Sequence, residues 1–132
     1  MLEAERTRRW NMARENFQAA KVCFENDLYG ASVTRSYYAV YQAMWVAVGN
    51  PPTGRWRHHG LIHHFCWGQW TQPPSPVTRF AGYLRRLRAL YDQRTDADYI
   101  AMPISRAKAE DGLKLAKEIL EIVAQEKGLP FP

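Results

Sequence analysis

The chain has 132 residues, 46% of them hydrophobic and 23% charged, a balance that fits a globular protein with one core and reads as a single domain over residues 1–132. Its 18 basic and 13 acidic residues leave a net charge of +5, which favours an anionic partner such as nucleic acid, a nucleotide or an acidic protein surface, or serves solubility alone. Two cysteines, Cys23 and Cys66, exclude a disulfide framework and a Cys-x-x-Cys pair, and read as reduced thiols of a cytoplasmic protein.

The N-terminal residues Glu3, Glu5, Arg6, Arg8 and Arg9, with no apolar run behind them, are not the pattern of a signal peptide. Trp10, Ala13, Phe17, Ala20 and Phe24 recur at intervals of three and four, so the spacing predicts a first helix from Leu2 to Glu25 with one apolar stripe. Asn26-Asp27 breaks it, and Asp27 is the expected N-cap of the next helix. A turn this tight makes the first two helices antiparallel neighbours.

Ala31 to Val48 is apolar on every face of the implied helix and carries one charge, Arg35. A transmembrane reading fails, because a span needs ~20 predominantly apolar residues and this stretch contains Arg35, Gln42, Ser32, Thr34 and Ser36. The helix must therefore be covered by protein all round, and an arginine inside it must be paired or meet an anion. Gly49 is expected to supply a left-handed cap, and Pro51-Pro52 forbid continuation.

A third helix is predicted from His58 to Trp70, with Leu61, Ile62, Phe65 and Trp70 as its buried side. The Pro73-Pro74-Ser75-Pro76 run breaks the chain, with Ser75 as N-cap and Pro76 in the first turn of a fourth helix that ends near Gln93. That helix turns Val77, Phe80, Leu84, Leu87 and Tyr91 inward, with Arg79, Arg86 and Gln93 opposite and Arg88 at an edge or interface. After a connection over Thr95 to Pro103, Ser105 caps a last helix that ends at Gly128 and buries Ala109, Leu113, Ala116, Leu120 and Val123. No segment alternates as a strand does, so the fold class is all-α: an antiparallel four-helix-bundle-like domain with a short extra helix.

Several groups of residues could carry chemistry. Arg35, Tyr38 and Gln42 share one helix face and form a polar stripe suited to a pocket or a subunit interface. A guanidinium there can donate two parallel hydrogen bonds to phosphate; alternatively Arg35 is structural and meets Asp96 or Asp98. His58, His59, His63 and His64 cluster before Cys66, and the spacing of His59, His63 and Cys66 would turn three ligand types one way. No fourth ligand accompanies them, so no metal site is assigned, and the histidines stand as proton-transfer groups. Arg55-Trp56-Arg57 with His58 could stack on a base and hold a phosphate, or Trp56 could cover the end of the bundle. Arg94-Thr-Asp-Ala-Asp-Tyr99 reads as caps and ion pairs. No Gly-rich phosphate loop, nucleophile elbow or acidic metal cluster is present, and no cofactor is implied.

Arg35-Ser-Tyr-Tyr-Ala-Val-Tyr-Gln-Ala resembles the Arg-Ala-Tyr-Tyr-Ala-Met-Phe-His-Ala signature of the HEPN family, the higher eukaryotes and prokaryotes nucleotide-binding domains. His59-Gly-Leu-Ile is similar to that family's His-x-Gly-Leu-Ile, and Arg94-Thr-Asp-Ala-Asp-Tyr99 to its Arg-x-x-Ala-Asp-Tyr. The resemblance implies a helical bundle that forms homodimers, is paired with a minimal nucleotidyltransferase as toxin and antitoxin or as enzyme and accessory subunit, and, in active members, is a metal-independent endoribonuclease using an arginine and a histidine. Arg35 matches the arginine, but Gln42 stands where the histidine is expected, and an amide does not exchange protons at neutral pH. The expected function is therefore nucleotide or RNA binding, or an accessory role, through Arg35, Tyr38, Gln42, Arg55 and Arg57. The alternative is an endoribonuclease toxin in which His59 or His63 replaces the missing histidine.

Overall fold

The computed structural model describes residues 1–71 and 79–132. Among them the chain forms α1 (Glu3–Glu25), α2 (Tyr29–Val48), α3 (His58–Trp67), α4 (Leu84–Thr95) and α5 (Arg106–Lys127), and no strand. A 3-10 turn at Ala81–Tyr83 leads into α4, and a π turn at Asp96–Ile100 leaves it. The all-α, bundle-like class expected from the periodicity is the observed one. The expected break and cap at Pro73, Pro74, Ser75 and Pro76, and the inward Val77, lie outside the described residues.

α2 is the axis, in contact with α1, α3, α4 and α5. Val33, Tyr37, Ala39, Val40, Ala43 and Met44 are fully buried on it, and large apolar side chains so buried contribute about 1.5–3 kcal/mol each. α1 lies antiparallel beside it and buries Trp10, Ala13, Phe17 and Ala20. Ser32, also buried, donates from Oγ to the Ala20 carbonyl at 2.9 Å and so ties the two helices together. No helix among the described residues is long and apolar enough to cross a membrane.

The α1–α2 turn differs from expectation in its cap. Leu28, not Asp27, is the residue before α2, and no side chain caps the helix. Asp27 instead takes a positive φ of 61°, which short polar side chains tolerate, and its carboxylate accepts from the Tyr29 hydroxyl at 2.9 Å. At the other end of α2, Gly49 has φ 93° but ψ −172°, so it turns the chain out of the helix without a left-handed cap. The left-handed cap belongs to Gly68, at φ 74° and ψ 11°, and it ends α3 at Trp67 rather than Trp70. Trp70 is still buried, in a three-ring cluster with Phe65 and Phe80.

α4 begins later and runs further than its apolar spacing predicts. Phe80 is buried ahead of the helix, Leu87 and Leu90 form its inner side, Leu84 and Tyr91 are half-buried, and Arg88 is exposed. Its last turns bury Arg94, only 3% exposed. In α5, Ser105 caps as expected by accepting from the Lys108 N–H. Leu115 and Ile119 join the core while Leu113 is only half-buried. Gly112 lets α4 approach, since a Cβ there would lie 3.0 Å from Leu90 Cδ1.

Candidate functional site

The polar stripe of α2 splits between two neighbours. Arg35 is exposed, so the burial inferred from its apolar surroundings does not occur. Its Nη1 donates to Asn16 Oδ1 at 3.2 Å, and not to Asp96 or Asp98, the carboxylates that the structural alternative names. Gln42, two turns further along the same face and half-buried, accepts from Arg9 Nη1 at 3.1 Å. Arg9 also pairs with Glu5 at 3.2 Å and lies over the Trp45 ring. Arg35 and Gln42 therefore both face α1, each held by a polar residue of that helix.

The buried cation is Arg94. Its guanidinium lies 5.2–5.6 Å from the ring centres of Tyr37, Tyr38, Tyr91 and Tyr99, close enough for cation–π attraction in a site largely cut off from water. Its nearest carboxylate oxygen, on Asp98, is 3.9 Å away, and Asp98 accepts a 2.6 Å hydrogen bond from Thr34 on α2. Nε of Arg94 has no partner among the described residues. The π turn brings Asp98 and Tyr99 back over Arg94, which is what the Arg-Thr-Asp-Ala-Asp-Tyr sequence does structurally.

In front of this cage, Tyr38, Tyr41, Arg55, Trp56, Arg57 and His58 line an open cleft of about 520 Å³ with no carboxylate in its wall. The loop that carries the two arginines is pinned at three points. Tyr41 donates its hydroxyl to the Trp56 carbonyl at 2.9 Å, Trp56 donates Nε1 to the Gly49 carbonyl at 2.7 Å, and Trp45 donates Nε1 to Asn50 at 2.8 Å. Trp56 packs its ring against His64, 5.0 Å between centres. Neither Arg55 nor Arg57 has an ion-pair partner among the described residues, so two exposed arginines line the cleft without a carboxylate paired to them.

His58 forms the inner wall. Its ring stacks on Tyr91 at 4.9 Å and tilts against Tyr41 at 5.1 Å and Tyr37 at 5.5 Å, and its Nδ1 is hydrogen-bonded to the Tyr37 hydroxyl. Burial, reinforced by the Arg94 charge, holds its pKa below the ordinary histidine value. Burial likewise pushes the Tyr37 hydroxyl far above the usual phenol range, so it stays protonated.

Of the residues singled out from the sequence, the fold gathers Tyr38, Arg55 and Arg57 in one cleft and leaves Arg35 and Gln42 against α1. His59 sits edge-on to Tyr91 at 4.9 Å, and His63 stacks on Trp67 at 3.9 Å; neither lines the cleft. The metal-like spacing does not survive folding. His59 and His63 are exposed, whereas Cys66 is buried in the core with its thiol pKa raised to about 11, and no group able to hold a metal occurs among the described residues.

Tyr37 and Tyr41 are the residues that sequence reasoning passes over; His58 enters it only with the histidine cluster and the basic loop, and Arg94 only as part of a cap and ion-pair motif. A signal for His58 existed: read with its intervening residue, the pattern His-x-Gly-Leu-Ile falls on His58-His59-Gly60-Leu61-Ile62, one place earlier than His59. Tyr37 and Tyr41, four apart on α2, were hidden among apolar neighbours of the same helix.

Comparison with known proteins bears on this arrangement. The model of the HEPN domain matches residues 7–127. A protein of Methanocaldococcus jannaschii named "Putative toxin MJ0605" is 30% identical over 99 residues, covering 75% of this chain and 71% of that protein. A match that reaches into all five helices and takes in both the α2 stripe and the Arg94 turn leaves one conclusion: the chain belongs to the HEPN domain family.

Proposed function

We propose that this protein is a nucleotide- or RNA-binding member of a toxin–antitoxin-type pair, working as a homodimer with a minimal nucleotidyltransferase partner in the cytoplasm. The observation that carries the reading is the carboxylate-free cleft, where Arg55 and Arg57 flank the aromatic wall of Tyr38, Tyr41 and His58. Unpaired guanidinium groups beside π-faces suit phosphate and base respectively, the combination by which single strands are held without sequence readout. The M. jannaschii relative named "Putative toxin MJ0605" supports the toxin–antitoxin part of this reading, and the resemblance of the α2 signature to HEPN proteins paired with nucleotidyltransferases supports the partner. Gln42 argues for binding rather than cleavage, because it is engaged by Arg9 and exchanges no proton at neutral pH.

A second reading, a metal-independent endoribonuclease, is favoured by the position of His58 rather than by His59 or His63, since His58 alone of the three lines the cleft. One experiment separates the two. Purified protein is incubated with structured RNA in the absence of metal, alongside Arg35→Ala and His58→Ala variants, and RNA retention is measured in parallel. Retention without cleavage supports the binding protein; cleavage that disappears in either variant overturns it in favour of the nuclease.

A further inference from the structure

We infer that His58 is locked in the neutral Nε2–H tautomer and presents that N–H to the cleft as a hydrogen-bond donor for a phosphate oxygen, with Tyr37 as the residue that positions it. The inference rests on the nucleotide- or RNA-binding reading of the cleft and adds to it the atom that meets the phosphate between Arg55 and Arg57.

The argument is a count of protons around one hydrogen bond. The Tyr37 hydroxyl and His58 Nδ1 are partners, and Tyr37 is fully buried. Were Nδ1 to carry a proton, it would donate to the Tyr37 oxygen, and the Tyr37 hydroxyl proton would then need another acceptor. None is present among the described residues, and a buried donor left unsatisfied costs about 1–3 kcal/mol. The opposite arrangement, Tyr37 O–H donating to an unprotonated Nδ1, satisfies both groups. It also places the single imidazole proton on Nε2.

Protonation to imidazolium meets the same obstacle, because both ring nitrogens would then be donors. The groups facing the ring reinforce it: Tyr37 and Tyr41 from α2, Tyr91 and the Arg94 cation from α4, His59 beside it on α3 and Arg55 from the loop. None of them offers a negative charge at neutral pH. Nε2 has no protein partner and is not among the buried polar atoms that lack one, so it reaches solvent, on a residue that lines the cleft. The resulting site holds two cationic forks and one neutral N–H donor, a donor-rich wall without carboxylates that suits the acceptor-only oxygens of a phosphate.

Two amide substitutions dissect the two ring nitrogens. In His58→Asn the side-chain oxygen falls near Nδ1 and can accept from Tyr37, but nothing reaches outward. In His58→Gln the longer amide places an N–H near Nε2, while Tyr37 loses its acceptor. The probes are a short fluorescent single-stranded RNA and AMP, which distinguish a phosphodiester from a terminal phosphate, with an Arg55→Ala, Arg57→Ala double variant as control.

The expected result is a crossing. His58→Asn is the more stable variant to urea yet binds about ten- to a hundredfold more weakly than the parent, the worth of one hydrogen bond to a charged group, whereas His58→Gln is less stable but keeps affinity within about threefold. Long-range ¹⁵N correlation spectra of the unliganded protein should show Nε2 protonated and Nδ1 not, and affinity for the RNA, whose phosphodiesters do not titrate in this range, should stay flat between about pH 6 and 8, without the rise on acidification that an imidazolium–phosphate contact would give. Nδ1 protonated in the free protein, or equal affinities for the two amide variants, overturns the inference while leaving the cleft reading intact. Unchanged affinity in the double arginine variant, or no binding of either probe by the parent, overturns the cleft reading and the inference with it.

Discussion

The Arg9 guanidinium lies 3.6 Å from the centre of the Trp45 ring, and the same group donates to Gln42 and pairs with Glu5. One side chain of α1 thus serves three partners. Arg9→Ala is expected to lower stability by about 1–2 kcal/mol, the sum of a close cation–π contact and one net hydrogen bond. Urea denaturation measures it, and a change below about 0.3 kcal/mol would show that the cluster contributes no more than an ordinary exposed ion pair.

Gln42→His restores the residue type that the family signature carries at this position. The neighbouring Arg9 cation disfavours the charged form of the new imidazole, leaving it neutral and able to accept a proton. The expected outcome is metal-independent RNA cleavage raised by about 10²–10⁴ over the parent, the usual contribution of general acid–base catalysis, and abolished on adding Arg35→Ala. No gain in cleavage would mean that the glutamine is not what withholds activity.

Arg94 is held by rings more than by charge. Removing it with Arg94→Ala leaves a cavity among four tyrosines and should cost about 2–4 kcal/mol. Asp98→Asn can keep an acceptor for Thr34 and gives up only a long, partly exposed ion pair, so its cost should stay below about 1 kcal/mol. Comparable losses in the two variants, read from thermal or urea transitions, would mean that the carboxylate of Asp98 holds Arg94 more strongly than the rings do.

Acid should weaken the fold through His58. Its folded pKa lies below the ordinary value, so as pH falls the unfolded chain takes up the proton first. The native state then binds fewer protons, and stability, complete above about pH 6.5, is lost progressively below it. Urea midpoints measured in steps from pH 7.5 to 5 should show this decline, and His58→Asn should remove most of it. A decline of the same steepness in the variant assigns it to other groups.

At the crossing of α4 on α5, Gly112→Ala gains up to about 1 kcal/mol of helix propensity but forces Leu90 Cδ1 away from its 3.0 Å approach. The two effects should nearly cancel. Gly112→Val adds bulk that the crossing has no room for and should cost about 1–3 kcal/mol. A stabilised valine variant would show that Leu90 has free space to move into.

What could be read from the sequence follows from which interactions are local. Stripes such as Trp10, Ala13, Phe17 and Ala20 repeat within one helix, and they gave α1, α2 and α5 nearly to the residue. Ser105 worked as a cap because its bond to Lys108 spans one turn. The site was less legible because its burial is decided by other elements. Arg35 sits on an apolar helix but at the edge facing α1, where the amide of Asn16 can reach it. Arg94, on a helix of mostly polar composition, becomes buried only when the π turn folds Tyr99 back over it. His58 and His59 are adjacent in sequence, and only the packing of Tyr91 and Tyr37 distinguishes the half-buried one from the exposed one.

Two of the hydrogen bonds that tie α2 down differ in kinetic meaning. Its bond to α1, from Ser32 to Ala20, closes across 12 residues, whereas its bond to the π turn, from Thr34 to Asp98, closes across 64. Loop-closure entropy grows with that separation, so the α1–α2 hairpin can form early at small cost while the Arg94 cage must wait for α4 to return. Interactions made late act on the rate of leaving the native state rather than on the rate of reaching it. The tyrosine cage is then expected to act as a latch: Arg94→Ala should speed unfolding more than it slows folding, while changes at Ser32 should act chiefly on the folding rate, and φ-values measure both.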